Sequence, residues 1–189
     1  MGLEPQNEKF EVLFDMGALA LIDGYKQEAV SCFASSLERF HEWCILVWLI
    51  NNGVSFEAYE KIWKTVSAQS ERQLGAFYFL YLQEFKENPV IFNNKMDTYK
   101  NKDNQKQIVV KFRNDVTHNG YIPKYEQVDE YGEHLLKYIN SILVKMKAKY
   151  QESIINVSFY LKRKLQESYM SSQVTPTSND VWVYLFRLY

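Results

Sequence analysis

No glycine or proline interrupts residues 25 to 50, and along that stretch Ala29, Val30, Phe33, Leu37, Phe40 and Cys44 recur at spacings of one, three, four, three and four. Such steps keep the side chains on one stripe of a 3.6-residue helix. A long helix with one buried side has to pack against further elements. Glycine and proline are scarce everywhere, 7 and 4 in 189 residues. That favours long helices joined by few turns over a barrel or a sandwich.

The remaining sequence reads in the same way. Phe10, Leu13, Phe14, Met16, Gly17 and residues 19–22 make an apolar first helix that stops at Asp23-Gly24. Asn51-Asn52-Gly53 closes the second helix, and Ser55 is suited to cap a third from Phe56 to about Val66. Ser70 with Gln73 reads as a capping box ahead of a fourth helix, expected to stop at Asn88-Pro89 because the residue before proline resists the helical region. Residues 87–104, ENPVIFNNKMDTYKNKDN, are polar and broken and read as a loop. A fifth helix is expected from about Asp103 to His118, closed by Asn119-Gly120.

Val128, Tyr131, Leu135, Tyr138 and Ile142 then define an amphipathic helix from Lys124 to about Lys149. Ile154, Val157, Leu161 and Leu165 extend the pattern from Ser153 to Tyr169. The expected architecture is all-α: a bundle of four to five main helices with a helical C-terminal extension, one domain over residues 1–170. A linker and a short aromatic tail, VWVYLFRLY, follow over residues 171–189.

Several function classes fall away on composition. The apolar run CILVWLI at 44–50 is far short of the roughly 18 to 20 residues a membrane span needs. The N-terminus is polar and acidic, unlike a signal peptide, and Gln6 stands where a myristoylation signal wants Ser or Thr. Cys32 and Cys44 lie on one helix about 18 Å apart along its axis, beyond disulfide reach. No histidine has metal-ligand spacing, so neither a metal nor a cofactor is expected, and the default compartment is a reduced cytoplasm. Ser31, Ser35 and Ser36 lack a nucleophile elbow, and no phosphate-binding loop is present. His41 and His134 are expected at the surface or its boundary. Trp43, Trp48, Trp63 and the Tyr78–Tyr81 segment are expected in the core, since base-stacking platforms need exposed rings.

Charge is distributed unevenly. The whole chain carries −1, yet residues 95–124 hold seven Lys or Arg against three Asp, and residues 137–164 hold seven against Glu152 alone. A phosphate-binding face on an acidic body has this asymmetry, and so does a pair of solvated helix faces.

The constellation that carries chemistry is VVKFRNDVTHNGYIP, residues 109–123. Asn114 and His118 are four apart and share a helix face, with Arg113 about 100° round from Asn114. Asn-Gly ends the helix just beyond His118, where the helix dipole favours positive charge. A histidine for proton transfer beside a permanent cation suits RNA cleavage. A base takes the proton of a ribose 2′-hydroxyl, which attacks the adjacent phosphorus, while Arg neutralises the equatorial oxygens and Asn orients them. An ordinary helix end accounts for the same residue types, with Arg113 paired to Asp115 or another acid and His118 on the terminal carbonyls.

FRNDVTHNG resembles the signature of the HEPN superfamily (higher eukaryotes and prokaryotes nucleotide-binding): Arg, a polar residue, a short spacer, His and then Gly. ALALIDGYKQEAVSCFASSLERFHEW, residues 18–43, is similar to the front helical pair of bacterial members, and the likeness covers about residues 10–150. The resemblance implies an all-α bundle and a homodimer whose two motifs line one cleft. It implies a metal-independent endoribonuclease of the toxin–antitoxin, abortive-infection or anti-phage kind, leaving 2′,3′-cyclic phosphate and 5′-hydroxyl ends. An antitoxin or sensor partner fits that setting. By position, Arg113 and His118 are the catalytic pair and Asn114 the accompanying polar residue. Lys111 and Lys106 are candidates for holding RNA, and Glu38, Glu42 and Asp115 are second-tier candidates. Asp115 and Thr117 make the spacer more polar and acidic than a cationic site prefers. Some members of the family have lost catalysis, so a HEPN module that binds nucleotide, nucleic acid or a protein is the alternative.

Overall fold

The computed structural model describes the backbone of residues 8–171 and the side chains of residues 8–167. In chain order the elements are α1 (Lys9–Ile22), α2 (Lys26–Asn51), α3 (Phe56–Val66), α4 (Ser70–Phe85), β1 (Lys95–Lys100), β2 (Lys106–Ile108), α5 (Val109–His118), α6 (Tyr125–Lys149) and α7 (Gln151–Ser171). The protein is mostly helical, with a small two-stranded antiparallel sheet as the exception among the described residues. No described helix is long and apolar enough to cross a membrane. The linker and tail read at 171–189 lie, beyond Ser171, outside the described residues.

Helix α2 is the axis of the bundle. Its first half buries Ala29, Val30 and Phe33, as the stripe predicts, while every residue from Trp43 to Trp48 is buried. A helix apolar on all sides has to be surrounded, and α1, α4, α5, α6 and α7 all pack on it. Helix α1 runs antiparallel to it, with Phe10 edge-on to Phe40 at 5.1 Å and Phe14 against Phe33 at 4.9 Å. Close approach depends on Gly17, where a Cβ would meet the Phe33 ring at 2.7 Å. On the other side Trp48 packs on Phe77 of α4 at 5.4 Å.

Helix α6 buries the whole expected series, Val128, Tyr131, Leu135, Tyr138 and Ile142. Helix α7 stacks Tyr160 on Phe56 of α3, centroids 4.0 Å apart at 10°. Leu165, the last member of its expected stripe, is exposed.

The helix ends follow local chemistry, with one correction. Gly53, at φ +81°, closes α2, and the Ser55 hydroxyl accepts from the Ala58 amide at 3.2 Å to cap α3. The Ser70–Gln73 capping box does not form. Gln69 is the N-cap, and the Gln73 side chain donates instead to the Ser67 carbonyl at 2.8 Å, tying α4 back to the preceding turn. Helix α4 also stops earlier than the proline demands, at Phe85, because Lys86 takes a left-handed conformation at φ 57°.

The larger correction concerns residues 95–108. The expected loop contains β1, and the turn and β2 take up residues 103–108, the first part of the expected fifth helix, so α5 starts at Val109. Met96 and Tyr99 face inward, and Asn104 makes the turn at φ 60°. The hairpin is bound to α6 by Glu130, whose carboxylate accepts from the Asp97 amide at 2.5 Å, the Thr98 amide at 2.9 Å and the Thr98 hydroxyl. Gln127 adds a bond to the Thr98 carbonyl at 3.0 Å. Burial pushes the Glu130 carboxyl up, but these donors hold it below its ordinary value.

Two side-chain expectations also change. His41 is buried, not at the surface: its Nε2 lies 3.2 Å from the Tyr138 hydroxyl, and its ring packs on Phe77 at 4.2 Å. In the Tyr78–Tyr81 segment Tyr81 is fully buried, whereas Phe79 is 78% exposed because it lies on the outer face of α4.

Candidate functional site

Helix α5 is positioned by three buried residues, Val109, Phe112 and Val116, at helical spacing. Phe112 packs edge-on against Tyr99 of β1 at 5.1 Å and against Tyr131 of α6 at 5.7 Å. With that face committed, Arg113, Asn114 and His118 turn toward solvent: the first two are half-buried and His118 is exposed.

Arg113 donates from Nη1 to the Asn114 Oδ1 at 3.1 Å, and its Nη2 lies 3.9 Å from the Glu38 carboxylate on α2. Both partners of that ion pair are about one-third exposed, 32% for Arg113 and 37% for Glu38. The pair sits at the surface, where water weakens the attraction, and a phosphate can compete for the guanidinium. The Arg113 carbonyl in turn accepts from the Thr117 hydroxyl at 2.8 Å.

The helix end leaves His118 unengaged. The Asp115 carbonyl accepts from the Asn119 amide at 3.2 Å and the Tyr121 amide at 3.0 Å, and Gly120 makes the reversal at φ +67°. Among the described residues no side chain or backbone group hydrogen-bonds the His118 imidazole. Backbone amides thus do the capping that the ordinary-helix reading gave to His118, while Arg113 meets Glu38, another acid of the kind that reading allowed for.

The other candidates are placed as follows. Asp115 accepts from Lys111 Nζ at 2.7 Å, from Asn119 Nδ2 at 2.8 Å and from the Tyr99 hydroxyl. Lys111 and then Tyr99 hold its carboxyl down to about 2. Lys106 pairs with Asp97 on the neighbouring strand, so both candidate RNA-holding lysines rest on carboxylates across exposed ion pairs. Glu38 faces Arg113, but Glu42, one turn further along α2, pairs with Arg39 at 2.6 Å and lines a different concavity. Lys100 and Lys102, at the hairpin tip, are exposed and make no ion pair among the described residues.

Among the described residues no group of three or more His, Cys, Asp or Glu side chains is disposed to hold a metal ion. Sequence reasoning did not find Tyr99 and Glu130, which fix the hairpin beside α5. Their only sequence signal is a tyrosine three residues from Met96 and an acid early in α6.

The site therefore consists of a half-exposed guanidinium oriented by Asn114, an open imidazole one turn on, and a lysine-tipped hairpin tied to the same helix through Tyr99 and Asp115. No protein-family model, curated protein or solved structure matches the chain.

Proposed function

We propose that this chain is a metal-independent endoribonuclease of the HEPN type, acting as a homodimer on RNA in a toxin-like or anti-phage role, with an antitoxin or sensor as its restraint. The observation that carries this reading is that one short helix holds both an unengaged His118 imidazole and an Arg113 guanidinium bonded to Asn114. His118 takes the proton from the ribose 2′-hydroxyl. The 2′-oxygen then attacks the phosphorus and the P–O5′ bond breaks. The 5′-oxygen leaves as a hydroxyl after protonation by an imidazolium, and a 2′,3′-cyclic phosphate remains. Arg113 compensates charge on the non-bridging oxygens, and Asn114 holds the guanidinium in its plane. The hairpin lysines supply backbone attraction without base selectivity.

The test uses purified full-length chain and a labelled mixed-sequence RNA with EDTA present, comparing wild type with His118→Ala and Arg113→Ala. Cleavage to cyclic-phosphate ends, lost in both folded variants, supports the ribonuclease. A folded chain that binds RNA or nucleotide and leaves RNA intact is the binding module instead.

A further inference from the structure

One concavity of the protein shares no residue with α5. It lies where the start of α1, the middle of α2, helix α3 and helix α7 meet, and its volume is about 340 Å³. That is at the small end of ligand sites, which run from about 300 to 1,000 Å³. Phe10, Trp43, Tyr59 and Trp63 supply its aromatic wall. Tyr59 and Trp63 are stacked with centroids 5.4 Å apart at 20°.

Two carboxylates open into this apolar space, Glu8 and Glu42. Burial pushes both up from the ordinary carboxylate value. Glu42 has Arg39 as its partner at 2.6 Å. Glu8 accepts from the Ser158 hydroxyl, and the half-buried Lys162 on α7 draws its carboxyl toward the charged form without reaching ion-pair distance.

The second observation is Trp43. It is only 5% exposed, and its buried indole N–H has no hydrogen-bond partner. The N–H lies near the Glu8 carboxylate and favours its charged form without closing a bond. A buried donor left unpaired is unfavourable, as is a buried carboxylate without a counter-charge.

The cations around the cavity do not answer this need. Lys164 is committed to Glu60 at 2.6 Å, and Lys9 and Lys64 are exposed, where water and salt screen them. The interior therefore presents two acids and one base beneath a screened rim.

We infer that this concavity binds a small organic cation, a planar amidinium or guanidinium carried on an aromatic body. The flat fork of N–H donors matches a carboxylate with two parallel bonds, and Glu8 is the carboxylate of this cavity that forms no direct ion pair among the described residues. The Trp63 and Tyr59 rings take the aromatic body and attract the delocalised charge. With Glu8 held as the anion, one of its lone pairs is available to the Trp43 N–H.

The test titrates full-length protein with benzamidine, its neutral isostere benzamide and its anionic counterpart benzoate. The readout is the indole N–H resonances of Trp43 and Trp63, assigned from single-tryptophan variants. Benzamidine is expected to shift both resonances saturably, with benzamide roughly tenfold weaker and benzoate weaker still. Glu8→Gln is expected to weaken benzamidine by about tenfold with helical circular dichroism unchanged. Lys64→Glu, at the exposed rim, gives an independent check by tightening benzamidine several-fold. Equal affinity for the three probes, a preference for benzoate, or unshifted indole signals up to the solubility limit of benzamidine overturns the inference.

Discussion

Tyr99 donates its phenolic hydrogen to the Asp115 carboxylate and so ties the β-hairpin to the helix that carries Arg113 and His118. Asp115 also receives Lys111 and Asn119, so one acid joins hairpin, helix and helix cap. An acid that looks unwelcome in a phosphate site is neutralised locally and sets the site's shape.

This linkage fixes an acid-stability limb. Asp115 is held at about 2 in the folded protein against an ordinary 3.8. Above pH 3.8 both states are ionised, and the contribution is fully present. As pH falls toward 2 the unfolded chain takes up a proton that the folded chain does not, so the contribution is lost. Asp115→Asn is expected to flatten the fall of the urea midpoint between pH 4 and pH 2, and an unchanged slope contradicts the assignment.

Tyr99→Phe removes the hairpin-to-helix bond while keeping the ring against Phe112. A hydrogen bond to a charged group contributes about 1.5–3 kcal/mol, and this change is expected to lower stability by roughly that amount. Amide exchange should accelerate across residues 95–108 and remain unchanged in α2. Uniform acceleration over the whole chain is the contrary result.

If the proposed ribonuclease reading holds, His118→Ala reduces RNA cleavage by about 10²–10⁴-fold while leaving stability within about 0.5 kcal/mol, because the exposed imidazole holds nothing together. Glu38→Gln takes the carboxylate from Arg113. The exposed pair contributes about 0–1 kcal/mol, so stability should barely move while RNA affinity at low salt rises. Weaker RNA binding by Glu38→Gln argues that Glu38 positions Arg113 rather than competing with substrate.

His41 provides a second pH dependence of opposite charge type. Complete burial lowers its imidazole to about 3 from 6.5, so the folded protein keeps it neutral while the unfolded chain protonates it. Stability attributable to this group therefore declines as pH falls from 6.5 toward 3 and is regained as pH rises. His41→Gln, which keeps a polar atom for the Tyr138 hydroxyl, should remove that part of the slope. A denaturation series over this interval checks it.

Gly17 is expected to resist the substitution that helix propensity favours. Alanine gains about 1 kcal/mol in an exposed helix interior, but here its Cβ meets the Phe33 ring, which Gly132 confines from the other side. Gly17→Ala should lower stability by about 1–3 kcal/mol, measured by urea denaturation. A stabilised variant means that α1 shifts outward freely.

The helices were legible because their signals are local. The Val128, Tyr131, Leu135, Tyr138 and Ile142 series is buried as its spacing implies. The hairpin was not, because Met96 and Tyr99 face inward three residues apart and its register is irregular between Lys95 and Lys100, so the alternation of a strand is broken. Its anchors, Glu130 and Gln127, lie some thirty residues downstream. His41 was misplaced for a related reason: Glu42 beside it suggests a boundary, and only the packing of α4 and α6 on α2 buries its ring. In the site, spacing placed Arg113, Asn114 and His118 at one helix end, but it could not separate Glu38, which reaches Arg113, from Glu42, which does not.

The hairpin is rooted by Glu130 and Asp115, whereas the hydrogen bonds of its tip close on the turn itself, between Asn101 and residues 103–105. That arrangement makes the tip a graft point. A short reporter peptide or a fluorophore inserted between Lys102 and Asp103 is expected to leave the helical frame intact, giving an optical handle on a hairpin that contains no tryptophan of its own.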